Sequence, residues 1–420
     1  MSRAFQRLAP LAAKGMVLGL DSMRDALRAW GDPHLRIPCA HVAGTNGKGS
    51  VSALLDAALR AAGLRVGLYT SPHLHRFVER IQVDGAALDD DVAGDFADAL
   101  MDDIDRGALP PLTFFEAATL LAWRAFERAG VTFAVMEVGL GGRLDATSVC
   151  APEVTVITRI AFDHTDRLGP TLDAIAREKA GILKPGVPCV LGPDLTADRN
   201  PEARAAIEDV ARRVGAPLVD TMPYAVADDA VSLRWRGADV SLRPSLTGPW
   251  QAGNVATAAR ALELLAAHRP EVTADAMREG FAATRWPARM ERVGDVLFDA
   301  AHNLDGVRAL VDALRGERIG AMAFGASRDK DYAAMLAELG AVVPPARWFF
   351  GAAPMARAAE PEALAAVRGG VACASPEAAL AAARAACGAG ETALVCGSIY
   401  FVAQARAALL GLEQEPPVGL

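Results

Sequence analysis

The run Gly44-Thr45-Asn46-Gly47-Lys48-Gly49-Ser50 combines what a polyphosphate site needs. Glycines let backbone N–H groups come close to anionic oxygens, a helix start adds further N–H groups and the positive end of its dipole, and Lys48 supplies a full charge. The run stands between an apolar strand-like stretch, Ile37 to Val42, and Val51, Leu54, Leu55, Ala58 and Leu59 at helical spacing. Gly47, Lys48, Gly49 and Ser50 are therefore expected to hold phosphates. The spelling departs from G-x-x-x-x-G-K-[ST], because Gly49 separates Lys48 from Ser50, so an ordinary P-loop GTPase or kinase fits poorly.

Other polar residues stand at the ends of strand-like runs. Glu137 closes an otherwise apolar stretch within Thr132 to Val138, and His164 follows Asp163 just beyond Val154 to Thr158. Parallel sheets place ligand groups at such strand ends. With Ser71 these residues could give oxygen and nitrogen ligands to a Mg2+ ion bridging phosphates; taken singly, each could as well be a structural polar residue. Lys179 lies in a helical run after Ile175, where an ordinary lysine sits on a solvated face. His34, His41, His73, His75 and His268 read as structural or surface histidines.

These residues need a frame, and the apolar pattern supplies one. Ile37 to Val42, Leu64 to Tyr69, Thr132 to Val138, Val154 to Thr158 and Val187 to Leu191 are strand candidates next to helical stretches, which implies a doubly wound, mainly parallel sheet. Ile37 to Tyr69 reads as strand, loop, helix and parallel strand, the helix stopping at Gly63. The pattern weakens between about 195 and 245, with a helix near 201 to 214 and a strand at Ala230 to Arg236. A helix spans about 251 to 267 with Asn254 near its start, and the Pro- and Arg-bearing stretch Thr284 to Arg292 divides the chain. Beyond it a second series begins with the strand Val296 to Phe298, followed directly by Asp299. It continues with Asp305 to Leu314, Ile319 to Phe324, Tyr332 to Leu339, Arg347 to Phe350, Pro376 to Ala386, Ala393 to Cys396 and Tyr400 to Leu410. The fold class expected is α/β: a P-loop-containing doubly wound domain over 1–285 and a smaller Rossmann-like α/β domain over 286–420, with a ligand in the cleft between them.

Bulk properties narrow the function. The 420 residues are 52% hydrophobic and 22% charged, as in a folded globular protein. A formal net charge of -8 argues against nucleic acid as the main partner. No signal-peptide pattern opens the chain and no apolar run approaches the ~20 residues of a membrane span, so a cytoplasmic protein is expected. The six cysteines are scattered and never form C-x-x-C, which reads as reduced thiols.

The glycine between lysine and serine resembles the spelling of folylpolyglutamate synthases and dihydrofolate synthases, relatives of the peptidoglycan-building Mur ligases. Further blocks are similar in the same order: Thr70-Ser71-Pro72-His73-Leu74, Thr113-Phe114-Phe115-Glu116, Glu137 to Thr147, Asp163-His164-Thr165, Glu178-Lys179-Ala180-Gly181-Ile182, Asp299-Ala300-Ala301-His302-Asn303 and Asp329-Lys330-Asp331. The resemblance implies an ATP-dependent ligase that joins L-glutamate to dihydropteroate or to reduced folates through an acyl phosphate, acting as a monomer. It implies that Ser71, Glu137, His164 and a carbamylated Lys179 hold two Mg2+ ions. It places Asn254, Arg289 and Asp299 on ATP, and His302 and Ser398 on glutamate, with Lys48, Lys179 and His302 as catalytic groups. Leu18, Thr113, Phe114, Phe115, Glu116, Leu144, Asp145 and Ala146 would hold the pterin. Val17 stands where many dihydrofolate synthases carry an aspartate, which leaves a polyglutamylation-only enzyme open; a Mur-type ligase fits Gly49 and Thr113 to Glu116 less well.

Overall fold

The computed structural model describes residues 1–15, 17 and 19–418. Leu18, expected at the pterin, lies outside the described residues.

The first eight strands are β1 (Cys39–Ala43), β2 (Val66–Tyr69), β3 (Ile81–Val83), β4 (Ala86–Ala87), β5 (Phe133–Glu137), β6 (Pro152–Ile157), β7 (Cys189–Leu191) and β8 (Leu218–Asp220). They form one sheet in the order β4-β3-β2-β5-β1-β6-β7-β8, parallel except at the β3 and β4 edge. The expected β1-to-β2 parallel unit forms, but β5 is inserted between its strands. Both faces are covered, which explains unbroken apolar runs in place of alternation. Along β5, Phe133 and Val135 enter one core while Ala134 and Met136 enter the other. The chain leaves β1 toward β2 on one side and builds β6 to β8 on the other. The C-terminal end of β1 is therefore the point where strand order reverses, the usual ligand position in such sheets.

The weakly patterned region contains the helix Pro201–Val214 and a separate antiparallel sheet, β9 (Tyr224–Ala227), β10 (Ala230–Trp235) and β11 (Ala238–Leu242). The next helix runs Pro249–Leu265, so Asn254 sits in its second turn rather than at its opening. A helix with no counterpart in the sequence reading follows at Ala274–Ala283. A Cβ at its Gly280 would stand 2.4 Å from the Ala58 backbone, so the glycine permits close packing on the helix Lys48–Ala61.

The remaining strands are β12 (Glu291–Val293), β13 (Val296–Phe298), β14 (Ile319–Phe324), β15 (Trp348–Phe350), β16 (Val371–Ala372) and β17 (Thr392–Cys396). They make a second sheet, β12-β13-β17-β14-β15-β16, parallel apart from β12. Among the described residues no helix is long and apolar enough to cross a membrane, and all six cysteines are free.

Candidate active site

A cavity of about 1070 Å3 opens between the two sheets. Its floor is the loop after β1. Gly47 adopts φ 90°, and a Cβ there would lie 2.6 Å from Asn254 Oδ1. At Gly49 a Cβ would lie 2.8 Å from Nε1 of Trp286, whose ring covers the loop. Lys48 opens the helix Lys48–Ala61 and its Nζ donates to the carbonyls of Gly44 at 3.1 Å and Thr45 at 3.3 Å. Ser50 Oγ accepts from Gln251 Nε2 at 3.3 Å, and Gln251 Oε1 accepts from Asn254 Nδ2 at 2.8 Å. The helix Pro249–Leu265 is thereby tied to the loop after β1.

Around this loop stand the groups expected to bind metal. Glu137, the last residue of β5, is buried and accepts from the Ser71 N–H at 3.3 Å. Burial raises its carboxyl to about 7, although Lys48, the Ser71 N–H and Arg289 oppose the shift. Lys179 is buried, contrary to the solvated face expected of an ordinary lysine, and donates to Gly44 O at 2.9 Å. Burial, reinforced by the charge of Lys48, lowers its amine to about 7. His164 has a left-handed backbone, φ 49°, and burial lowers its ring to about 4 despite neighbouring Asp163.

The opposite wall belongs to the second sheet. Asp299 follows β13, buried; Oδ2 accepts from Met290 N at 3.0 Å and Oδ1 from Ala301 N at 2.9 Å. Burial raises its carboxyl, against Arg289 and these N–H groups. Arg289 Nη1 donates to Ala288 O at 3.0 Å. His302 Nδ1 bonds Ala300 O at 2.9 Å, and its Nε2 stands 3.5 Å from Asp163 Oδ2. Ser398 begins the helix Ile399–Leu410 without spending its hydroxyl on a capping bond. Gly47, Lys48, Gly49, Ser50, Ser71, Glu137, His164, Lys179, Asn254, Arg289, Asp299, His302 and Ser398 all line this one cavity.

Among the described residues, those expected at the pterin do not line this cavity. Thr113 and Glu116 occupy each other: Thr113 N and Oγ1 both donate to Glu116 Oε2 at 2.8 Å, and Glu116 N donates back to Thr113 Oγ1, capping the helix Phe114–Arg128. Phe114 is core, edge-on to Phe77. Phe115 packs behind the cavity wall, where a Cβ at Gly139 would meet its ring at 2.6 Å. Asp145 accepts from Gly139 N and Leu140 N, both at 3.0 Å, and leads with Leu144 and Ala146 into the turn Ala146–Val149. The polar side chains of Thr113, Glu116 and Asp145 are thus engaged in local caps.

Two groups of residues at the cavity escaped the sequence reading. Asn46 Nδ2 donates to Asn303 Oδ1 at 3.1 Å and Asp305 Oδ2 at 2.8 Å, while Asn303 Nδ2 donates to Asp163 Oδ2 at 2.9 Å. Lys330 pairs with Asp163 as well. Burial works against the Asp163 charge, but His302, His164 and Lys330 hold the carboxyl well below the usual range. Asp163, Asn303 and Lys330 lay inside the motif blocks without a role of their own. Trp286 had no signal, being a lone aromatic in a Pro- and Arg-bearing stretch.

Comparison with known proteins agrees with this geometry. Residues 42–189 match the Mur ligase middle domain and residues 288–399 match the Mur ligase, glutamate ligase domain. The dihydrofolate synthase/folylpolyglutamate synthase of Escherichia coli strain K12 is 37% identical over 374 residues, covering 86% of this chain and 84% of that protein. The chain belongs to the dihydrofolate synthase/folylpolyglutamate synthase family. A Haloferax volcanii relative, a probable bifunctional folylpolyglutamate synthase/dihydropteroate synthase, is 36% identical over 414 residues; they are 92% of this chain but 48% of that protein, so the chain spans about half its length. The structure of E. coli FolC with DHPP and ADP superposes with a TM-score of 0.86 at 33% identity, covering 98% of each chain. A bifunctional folylpolyglutamate synthase/dihydrofolate synthase with Mn, AMPPNP and L-glutamate bound gives 0.84 at 33% identity, again covering 98% of each chain. In this chain the glycine after the loop lysine has a steric cause, the indole of Trp286.

Proposed function

We propose that the chain is an ATP- and Mg2+-dependent ligase that adds L-glutamate to dihydropteroate and to the γ-carboxylate of reduced folates. The observation that carries this reading is the single cavity in which the phosphate loop and Glu137 face His302 and Ser398 across the two sheets. Residues 1–285 would hold most of the nucleotide, and 286–420 the amino acid, with Arg289 and Asp299 reaching the nucleotide from that side; because both walls come from one chain, a monomer suffices, working in the cytoplasm.

The reaction needs activation, since a carboxylate is a poor electrophile. A substrate carboxylate oxygen attacks the γ-phosphorus of ATP and ADP leaves. The glutamate amine then attacks the acyl phosphate carbon, loses its proton, and inorganic phosphate departs. Lys48, the loop N–H groups and Arg289 offset the phosphate charge, Asn254 and Asp299 hold the nucleotide, and His302 and Ser398 receive glutamate. No nucleophilic side chain is required.

The residues present suit a hard divalent cation. Glu137 is a buried carboxyl whose ion pairs are absent among the described residues, and Ser71 and His164 line the same space. Among the described residues no three His, Cys, Asp or Glu side chains form a metal cluster by themselves, so phosphate oxygens and a carbamate on Lys179 would complete two Mg2+ sites. A Lys179 amine near 7 suits carbamate formation, which needs the neutral amine. Bound Mg2+ would supply charge neutralisation at the phosphates.

One observation favours a second reading, a polyglutamylation-only enzyme: Val17 is 59% exposed and brings no polar side chain to a pterin. Lost hydrogen bonds to pterin N–H groups would cost about 1 to 3 kcal/mol. Purified protein given dihydropteroate, ATP, Mg2+ and glutamate is expected to form dihydrofolate. Activity on tetrahydrofolate with none on saturating dihydropteroate would select the second reading.

A further inference from the structure

Arg80 is 2% exposed, and no carboxylate pairs with it among the described residues. Its Nε donates to His73 Nδ1 at 2.9 Å, its guanidinium carbon lies 5.3 Å from the centre of the Phe114 ring, and its Nη1 has no partner. The nearest candidate in sequence, Glu79, is spent on the loop backbone, accepting from Leu74 N at 2.8 Å, His75 N at 3.0 Å and Arg76 N at 2.9 Å. A buried cation with no counter-ion is costly unless something anionic comes near.

His73 is the link between that charge and the cavity. It is 5% exposed and lines the cavity two residues after Ser71. A guanidinium can only donate, so His73 Nδ1 must accept and the ring proton sits on Nε2. The ring is therefore a neutral imidazole with a fixed tautomer, leaving an N–H at Nε2 as its remaining polar group. The loop that carries it is clamped from the other side. Leu74 packs on the core of the second sheet, and His75 bonds Arg406 at 2.7 Å and Gln414 at 2.7 Å.

We propose that His73 is a substrate-binding residue whose Nε2–H donates to a carboxylate, and that Arg80 is the positioning residue behind it, fixing the tautomer and lending charge. The inference rests on the ligase reading above, which supplies two carboxylate sources: the incoming amino acid and the glutamyl tail of the folate. It turns a histidine first read as structural into part of the substrate site.

Two measurements test it in the full chain. With 15N-histidine labelling, His73 is expected to show the neutral Nε2–H tautomer. Its Nε2 signal should shift when L-glutamate, or in a separate titration tetrahydrofolate, is added with nucleotide and Mg2+; the titration that moves it identifies the source. An Nδ1–H tautomer, or no shift in either titration, overturns the inference even if every variant misfolds. In kinetics, His73→Ala is expected to raise KM for that same substrate about 10- to 100-fold, the range of a hydrogen bond to a charged group, with KM for ATP unchanged. His73→Gln, which keeps an N–H donor, should recover part of the loss. Wild-type ligation with unaltered KM values in His73→Ala overturns this inference alone, whereas a wild type that ligates no folate overturns the functional reading and leaves the tautomer standing.

Discussion

The loops that follow β1 and β13 occupy equivalent places at the ends of parallel strands, yet they are built in opposite ways. After β1 the loop exposes backbone N–H groups beside Lys48, and side chains are excluded at positions 47 and 49, where a Cβ would strike Asn254 or Trp286. After β13 the groups are side chains, each held by local backbone. Asp299 accepts from two N–H groups, His302 bonds a carbonyl, and Asn303 caps the helix Leu304–Ala313 by accepting from Gly306 N at 2.8 Å. A site made of backbone tolerates few residue types and announces itself by glycine spacing. A site made of side chains is spelled in common polar residues whose meaning depends on their neighbours.

The largest effect should come from the backbone-built loop's own cation. Lys48→Ala is expected to cut turnover roughly 10²- to 10⁵-fold while circular dichroism and the thermal midpoint stay near wild type. Near-normal turnover in the folded variant would remove the loop from the chemistry.

Next is the steric half of the contrast. Gly49→Ala should raise KM for ATP about tenfold, and in a Trp286→Ala background the same change should cost little, because the clash has lost its partner. Equal losses in both backgrounds would show that position 49 needs glycine for another reason.

A proton competes for Glu137, whose carboxyl is raised to about 7. Mg2+ binding in the presence of nucleotide should accordingly be about tenfold weaker at pH 6 than at pH 8, strengthening as pH rises through that value and levelling above it. Calorimetry across this range tests the sign, and Glu137→Gln should flatten most of the slope.

The smallest effect is expected where the two loops touch. Asn46→Ala removes the bonds to Asn303 and Asp305, and a net worth of about 0.5–1.5 kcal/mol for the contact as a whole predicts a loss of about 2- to 13-fold in kcat/KM. A hundredfold loss would mean that Asn46 acts on the substrate directly.

Much of the frame was legible from apolar pattern. Ile319–Phe324, Tyr332–Leu339 and Pro376–Ala386 have the bounds their hydrophobic spacing predicts. Strand order was not, because the insertion of β5 between β1 and β2 depends on contacts distant in sequence. Nor was the helix Ala274–Ala283, whose packing rests on Gly280, a poor helix former. Of the proposed site, the phosphate role of Gly47 to Ser50 rests on their own pattern, while the roles proposed for Asp299, His302 and Ser398 rest on resemblance. Thr113 to Glu116 shows the converse. Its T-x-x-E spacing is a capping-box signature, and the side chains serve that local purpose in the fold.

The indole over Gly49 makes the phosphate loop optically self-reporting. Trp123 and Trp348 are sealed in the interior, where their emission is insulated from solvent, but Trp286, like Trp250, is half-buried in the wall of the cavity. Anything that fills the loop alters the polarity around that ring, so occupancy can be followed by intrinsic fluorescence on unlabelled protein, with Trp286→Phe separating this ring's response from that of Trp250.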